Sequence, residues 1–166
     1  MCRRCSSTRR LLDAGIGVIN LEAGTPAAEG RLAGYREALD AHGVDHDPAL
    51  VLHTRGHADH GYEAAARLLD LDDAPTALFC TTDRLAMGAY DAIKECGLRI
   101  PDDVAVVGFD DQELIAAYLR PKLTTVALPF AAMGTLAVQL LNDLIEGREV
   151  PPQTLVGCPL VERASV

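Results

Sequence analysis

The sequence of 166 residues has no run of eighteen apolar residues, and its first residues hold no apolar stretch framed as an export signal. We therefore expect a cytoplasmic protein that does not enter a membrane. Apolar residues make up 49% of the chain, which is enough for one compact core.

Positive charge is also scarce. The chain has 15 Lys and Arg residues against 24 Asp and Glu residues, so its formal net charge is −9. A DNA backbone repels such a chain unless a local basic patch prevails. Such a patch occurs only within residues 1–10, which we expect to form a basic, disordered terminus, and no helix-turn-helix pattern follows it. We predict that this chain alone does not bind DNA.

Sequence motifs of catalysis are missing as well. The chain has neither a Gly-x-Ser-x-Gly nucleophile turn nor a Gly-x-x-x-x-Gly-Lys phosphate loop, and its five cysteines lack the spacing of a disulfide framework. These absences predict free thiols, no cofactor and no enzymatic activity.

One polar segment deserves comparison with a zinc site. His53-Thr-Arg-Gly-His57-Ala-Asp59-His60 resembles part of the metallo-β-lactamase motif, in which imidazoles and a carboxylate hold zinc. Arg55 occupies the position of the first histidine of that motif, and no histidine follows His60. A zinc hydrolase is therefore a remote alternative, and we predict a solvent-facing polar loop without metal.

What the sequence does contain is an alternation of short apolar runs with amphipathic stretches, which is typical of a parallel sheet covered by helices. The α/β class follows. Strands are predicted at Ile16–Leu21, Leu50–Leu52, Ala77–Cys80, Val104–Val107 and Leu123–Leu128, with a last extended run at Thr154–Val161.

Helices are predicted between these strands. One ends near Ala14, the next ends at Gly43, and a third covers Gly61–Leu69. Asp83 is the predicted N-cap of a fourth, and a long helix covers Ala131–Glu146. The fourth helix has an apolar stripe of Ala86, Ala89, Tyr90 and Ile93.

Several phrases then carry a family resemblance: Arg31-Leu-Ala-Gly-Tyr-Arg-Glu-Ala-Leu39, Gly61-Tyr-Glu-Ala-Ala65, Pro75-Thr-Ala-Leu-Phe79, Asp83-Arg-Leu-Ala-Met-Gly-Ala89, Gly97 to Asp111, Leu123-Thr-Thr-Val126 and Pro159 to Ser165. In this order and spacing they resemble the effector domain of the LacI/GalR repressors. The resemblance implies an open, mostly parallel sheet with helices on both faces, of the type I periplasmic-binding-protein kind.

The resemblance also implies a division of the chain. Residues 11–128 correspond mainly to the C-terminal subdomain, residues 129–150 to a crossover helix of the N-terminal subdomain, and residues 151–166 to a return strand. The helix-turn-helix headpiece, the hinge helix and most of the N-terminal subdomain of the family have no counterpart in the sequence. The long helix is thus expected to lack most of its usual packing partners.

The function that the resemblance implies is sensing of a small-molecule effector, a sugar or a nucleobase-like compound, which controls operator binding allosterically. A periplasmic-type sugar-binding protein shares this two-lobed fold and is the main alternative. The Arg31-Leu-Ala-Gly phrase and the missing export signal favour the regulator.

The resemblance also assigns site residues to positions of this sequence. Arg31 and Asp110 match family positions that hold effector, and Thr82 stands where several relatives have asparagine. Asp83 is a further possible contact, although a helix cap is its expected role. In two places the chain departs from the family: Gly56 replaces a frequent stacking aromatic, and Leu128 replaces a frequent glutamine. Both changes remove specific contacts.

A homodimer is also implied. The interface of the family lies in the region of the helix Leu85–Cys96, and the residues that the resemblance assigns to it are Leu85, Gly88, Ala89 and Tyr118.

Overall fold

The computed structural model describes residues 15–166, which form a six-stranded sheet in the order β2-β1-β3-β4-β5-β6. The first five strands are parallel, and β6 runs antiparallel to β5. The strands are β1 (Ile16–Leu21), β2 (Val51–Thr54), β3 (Ala77–Cys80), β4 (Ala105–Asp110), β5 (Thr124–Ala127) and β6 (Leu160–Val161). The predicted α/β class is confirmed.

Five α-helices and one 3-10 turn lie among the described residues: α1 (Pro26–Ala41), the 3-10 turn Pro48–Leu50, α2 (Ala58–Leu69), α3 (Asp83–Glu95), α4 (Glu113–Ala116) and α5 (Phe130–Ile145). The start of α1 follows from its residues, because Thr25 accepts a hydrogen bond from the Ala28 N–H and Pro26 occupies the first helical position. Gly43, with φ of 65°, takes the left-handed turn after it. The predicted helix end near Ala14 and the basic residues 1–10 lie outside the described residues.

Helices cover both faces of the sheet, as predicted. Along β3, Leu78 and Cys80 belong to the buried cluster formed with α2 and α3. The alternate residues Ala77 and Phe79 face α1 across a cavity. This alternation is the expected consequence of a strand whose successive side chains point to opposite faces.

The two helices α2 and α3 touch through glycines. A Cβ atom built on Gly88 would overlap the carbonyl oxygen of Ala58, and one built on Gly61 would overlap the backbone of Leu85. Leu85 and Ala89 are fully buried within the chain, and Gly88 is buried with them. We therefore correct the interface assignment of Leu85, Gly88 and Ala89: residues buried inside one protomer have no surface to offer a second.

The segment between β5 and β6 leaves the sheet and returns beside its own starting point. The Ala127 N–H donates to the Pro159 carbonyl oxygen at 2.8 Å, where the two chains meet. No residue of α5 is buried, although the helix is rich in apolar residues. Its exposed side chains include Phe130, Val138, Leu141, Leu144 and Ile145. The return strand is shorter than the predicted run Thr154–Val161, because only Leu160–Val161 pairs with the sheet.

The C-terminal residues fasten β4 to β5. The Ser165 hydroxyl donates to the Val106 carbonyl oxygen at 2.6 Å and accepts from the Thr124 N–H at 2.8 Å. The Ser165 carbonyl oxygen accepts from the Val106 N–H at 2.8 Å. Ser165 is fully buried, so the chain end is part of the core of the sheet.

Among residues 15–166, no helix combines the length and the apolar character that crossing a bilayer requires. Among the described residues, Cys80, Cys96 and Cys158 take part in no disulfide bond. Cys80 is fully buried, as expected for a small apolar core residue.

Candidate functional site

The carboxyl edge of the parallel strands brings together two of the residues predicted to hold a ligand. Arg31 lies on the first turns of α1, and Asp110 is the last residue of β4. The Arg31 Nη2 donates to the Asp110 Oδ1 at 3.3 Å, and Nη1 donates to the Thr81 carbonyl oxygen at 2.7 Å. The two side chains are 13% and 14% exposed, so the pair is sheltered and still reachable from solvent.

Phe109 fixes the plane of the Arg31 guanidinium. The guanidinium carbon lies 3.9 Å from the centre of the Phe109 ring, which is within cation–π distance. Phe109 was not predicted as a site residue, although it lies in one of the family phrases. Its position, directly before an aspartate at the end of a buried strand, could have indicated its role.

Asp110 and Asp111 both adopt left-handed backbone conformations, with φ of 115° and 53°. Non-glycine residues rarely do so, and the conformation needs support from neighbouring groups. The Gln112 side chain supplies some, because its Nε2 donates to the Asp110 Oδ2 at 3.2 Å. Arg163, near the C-terminus, donates to the Asp111 Oδ1 at 2.7 Å. Neither Gln112 nor Arg163 was predicted from the sequence.

Burial is the largest influence on the Asp110 carboxyl, and it raises the pKa of this group. The hydrogen bond from Gln112 and the positive charges of Arg31 and Arg84 act in the opposite direction. The carboxylate is thus held in a partly dry position with its charge only partly compensated.

Thr82 and Asp83 are adjacent at the start of α3 but differ in their exposure and in their hydrogen bonds. Thr82 is the N-cap of α3, since its hydroxyl oxygen accepts from the Leu85 N–H at 3.3 Å. It lies partly exposed at the same edge of the sheet as Asp110. Asp83 is fully buried, so it cannot touch a ligand as the sequence analysis allowed. The predicted cap at Asp83 is wrong by one residue.

Asp83 instead binds two neighbouring segments. The Gln112 N–H donates to its Oδ2 at 2.7 Å, and the Thr125 hydroxyl donates to its Oδ1 at 2.6 Å. Desolvation raises the pKa of Asp83 to about 6, against the opposing effect of these two hydrogen bonds.

The two family departures lie in different places. Leu128 follows β5, and its N–H donates to the Asp110 carbonyl oxygen at 3.4 Å, so it is a direct neighbour of the site. Gly56 follows β2, which is separated from β4 by two strands. A Cβ atom on Gly56 would lie 3.0 Å from the Leu21 side chain.

A cavity of about 660 Å³ lies between α1 and the sheet, with Arg31 and Phe109 at one end. The rest of its lining is almost entirely apolar, and the Tyr35 hydroxyl already donates to the Ile16 carbonyl oxygen at 2.8 Å. A hydroxyl-rich ligand placed there would lose its hydrogen bonds to water without replacement. The polar groups that could bind a hydroxyl-rich ligand therefore lie at the carboxyl edge of the strands and not inside this cavity.

The histidine segment does not bring three potential metal ligands together in the described structure. The His57 and His60 rings are 5.9 Å apart, and the His60 Nδ1 lies 3.1 Å from an Asp59 carboxylate oxygen. Within residues 15–166, no three His, Cys, Asp or Glu side chains converge on a point that could hold a metal ion. The segment is also not one loop as predicted, because His53 lies in β2 and His60 in the first turn of α2.

The sequence profile of the periplasmic binding protein-like domain matches residues 9–166, and the chain belongs to this family. Its relatives within that class are transcriptional repressors. The ribose operon repressor of Haemophilus influenzae is 39% identical over 90% of the chain and 46% of its own length. The repressor PurR of Escherichia coli O1:K1 is 37% identical over 95% of the chain and 47% of its own length.

Solved structures of transcription regulators are also similar to this chain. The complex of the regulator CelR with cellobiose has a TM-score of 0.83 and 36% identity over 91% of the chain and 46% of CelR. The Lac repressor bound to ONPG has a TM-score of 0.84 and 30% identity over 91% of the chain and 45% of that protein. The chain is thus a periplasmic binding protein-like domain that is similar to part of these transcription regulators, and it spans just under half of their length.

Proposed function

We propose that the chain is the effector-sensing part of a LacI/GalR-type transcription regulator, with the effector bound at the strand edge around Arg31 and Asp110. The observation that carries this proposal is the meeting of these two side chains. They are 79 positions apart in the sequence, yet they form a sheltered pair that solvent can reach. An open α/β sheet binds its ligands at this edge.

The pair suits a ligand with neighbouring hydroxyl groups. The Arg31 guanidinium is a donor only, and the Asp110 carboxylate is an acceptor only. One hydroxyl can accept from the guanidinium while the next donates to the carboxylate, which gives a directional pair of charge-assisted hydrogen bonds. The names of the relatives, a ribose operon repressor and a regulator complexed with cellobiose, support a sugar. A nucleobase-like effector with ring donors and acceptors is the second candidate.

The effector acts on the regulator by stabilising one arrangement of its two subdomains over another. The described residues supply one side of the cleft, so we expect weak binding by this chain, because one wall excludes less water than two. Operator DNA is contacted in such a regulator by a headpiece that is not among these 166 residues. The regulator works in the cytoplasm, and its effector domain catalyses no reaction.

We also propose that the chain forms a homodimer, as the Lac repressor does in its complex with operator. With Leu85, Gly88 and Ala89 buried, the remaining candidates are exposed apolar side chains of α3, of α4 and of the turn after α4. Met87, Leu114 and Tyr118 are 36%, 85% and 66% exposed. We refer to these three residues as the α3–α4 apolar group.

Titration calorimetry with D-ribose, cellobiose and adenine tests the proposed function. We expect heat from at least one sugar, with micromolar or weaker affinity that is lost in Asp110→Asn. The matched control is Asp40→Asn, at an exposed position of α1. A submicromolar dissociation constant would contradict the one-wall argument, and binding that survives Asp110→Asn would contradict the site.

A further inference from the structure

Asp83 is a buried carboxylate that the proposed effector contact does not use directly. It is fully buried, and each of its oxygens accepts a hydrogen bond, one from the Gln112 N–H at 2.7 Å and one from the Thr125 hydroxyl at 2.6 Å. Both donors are neutral groups. Burying a carboxylate against neutral donors costs free energy, so stability alone does not favour an aspartate at this position.

The strand β4 is shaped around this carboxylate. A Cβ atom on Gly108 would overlap the Asp83 Oδ1 and would lie 2.7 Å from the Leu123 side chain. Gly108 therefore leaves the space that the carboxylate occupies. The close fit of strand backbone and carboxylate means that Asp83 contacts the chain two residues before Asp110.

Asp83 also holds the chain two residues after Asp110, through the Gln112 N–H. Between these two points lie Asp110 and Asp111, whose left-handed conformations need support. Gln112 links Asp83 to Asp110, because its backbone N–H donates to Asp83 and its side chain donates to Asp110 at 3.2 Å. The third point of attachment is Thr125 on the neighbouring strand β5.

We propose that Asp83 is a positioning residue for the effector: its carboxylate fixes Gly108, Gln112 and β5 relative to one another so that Asp110 faces Arg31. Asp83 does not touch the ligand. This inference rests on the proposed function for its consequence in binding, while the geometry of the loop can be tested without any ligand.

A simple helix-capping role is the rival explanation, and the structure argues against it. The cap of α3 is Thr82, whose hydroxyl oxygen accepts from the Leu85 N–H. Asp83 directs both of its oxygens away from its own helix, to Gln112 and Thr125. Removal of its charge should therefore disturb the Asp110 loop more than the helix.

The test compares Asp83→Asn with the wild-type chain. Asparagine has the same shape but no charge: its amide oxygen can still accept from the Gln112 N–H, while the Thr125 hydroxyl must rotate to accept from its amide nitrogen. Amide hydrogen exchange measured by NMR should become roughly tenfold faster at Gln112, which corresponds to the replacement of a charge-assisted hydrogen bond by a neutral one. Chemical-shift changes should concentrate in residues 108–112. Affinity for whichever of D-ribose and cellobiose binds the wild type should fall by a similar factor.

Ile93→Val serves as the control, because it removes one methylene from the core far along α3 from the loop and destabilises without touching Asp110. Thr125→Val is the second variant, which removes one donor and leaves the carboxylate, and it keeps the test open if Asp83→Asn does not fold. We expect a smaller exchange change in the same residues, because the Gln112 N–H keeps its acceptor while the carboxylate loses its attachment to β5.

The outcomes separate the two proposals. Unchanged exchange and shifts at Gln112 in a folded Asp83→Asn or Thr125→Val variant would overturn the positioning role. So would an affinity loss no greater than that of Ile93→Val. If the wild-type chain binds neither sugar, the effector proposal fails for sugars, while the exchange measurement still decides whether Asp83 holds the loop.

Discussion

Arg31 and Asp110 meet across 3.3 Å although one lies on α1 and the other ends β4. The arginine is held on three sides: by the Asp110 carboxylate, by the Thr81 carbonyl oxygen and by the face of Phe109. Its donors are thus oriented before any ligand arrives, which reduces the entropy lost on binding.

Arg31→Ala should abolish detectable sugar binding, because it removes the only charged donor of the pair. Arg31→Lys should restore little of it, since an ammonium group cannot form the planar fork of bonds or stack on Phe109 in the same way. Calorimetry measures both, with Arg36→Ala at an exposed position of the same helix as the control. Full binding by Arg31→Lys would show that only the charge matters.

Gly88→Ala should destabilise the chain by about 3 kcal/mol or more, because the added methyl group overlaps the backbone of α2. Gly34 is the matched position: it lies in α1, and a Cβ atom there meets nothing within 4 Å. Gly34→Ala should raise the free energy of unfolding by about 0.5 to 1 kcal/mol. Urea unfolding of the two variants gives both values, and equal effects would mean that the close helix contact is not as described.

Ser165→Ala should lower the free energy of unfolding by about 1 to 3 kcal/mol, because the buried Thr124 N–H then loses its acceptor and the Val106 carbonyl oxygen loses one donor. The exposed Thr154→Ala is the control and should change stability by less than about 0.5 kcal/mol. Chemical denaturation followed by circular dichroism measures the difference. If Ser165→Ala leaves the free energy of unfolding unchanged, the C-terminal residues do not hold β4 and β5 together.

Asp83 should make stability depend on pH. Its pKa is raised from 3.8 to about 6 in the folded chain, so the folded state binds this proton more tightly than the unfolded state. As the pH falls from 6 towards 4, the free energy of unfolding of the wild type should therefore rise relative to that of Asp83→Asn, by about 1 to 3 kcal/mol.

Urea unfolding of the wild type and Asp83→Asn at pH 4.5, 5.5 and 7 measures this difference. The other groups that act on Asp83 are Asp110, Asp111, Gln112 and Thr125, and all of them are present in both proteins. A difference that stays constant with pH, or grows in the opposite direction, would contradict the assignment.

The α3–α4 apolar group should determine the oligomeric state. Leu114→Asp and Tyr118→Asp place charges on the proposed interface, so both variants should be monomeric at concentrations where the wild type is dimeric. Light scattering coupled to size exclusion measures this directly. Leu71→Asp, at an exposed position beyond the C-terminal end of α2, is the control and should stay dimeric. A dimer that survives both interface substitutions would place the contact elsewhere.

The strands were largely predictable because their residue pattern leaves few alternatives. Ile16–Leu21 and Ala77–Cys80 have the predicted bounds, as expected for apolar runs placed between turn residues and helices. The cap of α3 was harder, because Thr82 and Asp83 are adjacent and both residue types cap helices well. Only the backbone conformation decides between them, and Thr82 has the extended one.

The site was predictable as far as the family phrases reached. They indicated Arg31 and Asp110, which the structure brings together. They did not indicate Gln112 or Arg163, because the bonds of these residues depend on the left-handed turn at Asp110 and Asp111. For Ala89 the helical stripe predicted burial and the resemblance suggested an interface. The stripe was correct, since periodicity reports which side of a helix faces the sheet.

The path of the chain around α5 has a mechanical consequence. The excursion leaves from β5 and re-enters at β6, and these strands are neighbours joined by the bond between Ala127 and Pro159. Because both ends of the excursion join the sheet at this one place, any movement of α5 relative to the sheet would require rotation about the bonds of these two crossings. Leu128 lies at one crossing and its N–H donates to the backbone carbonyl oxygen of Asp110, so such a rotation would act directly on the residue that carries the site carboxylate.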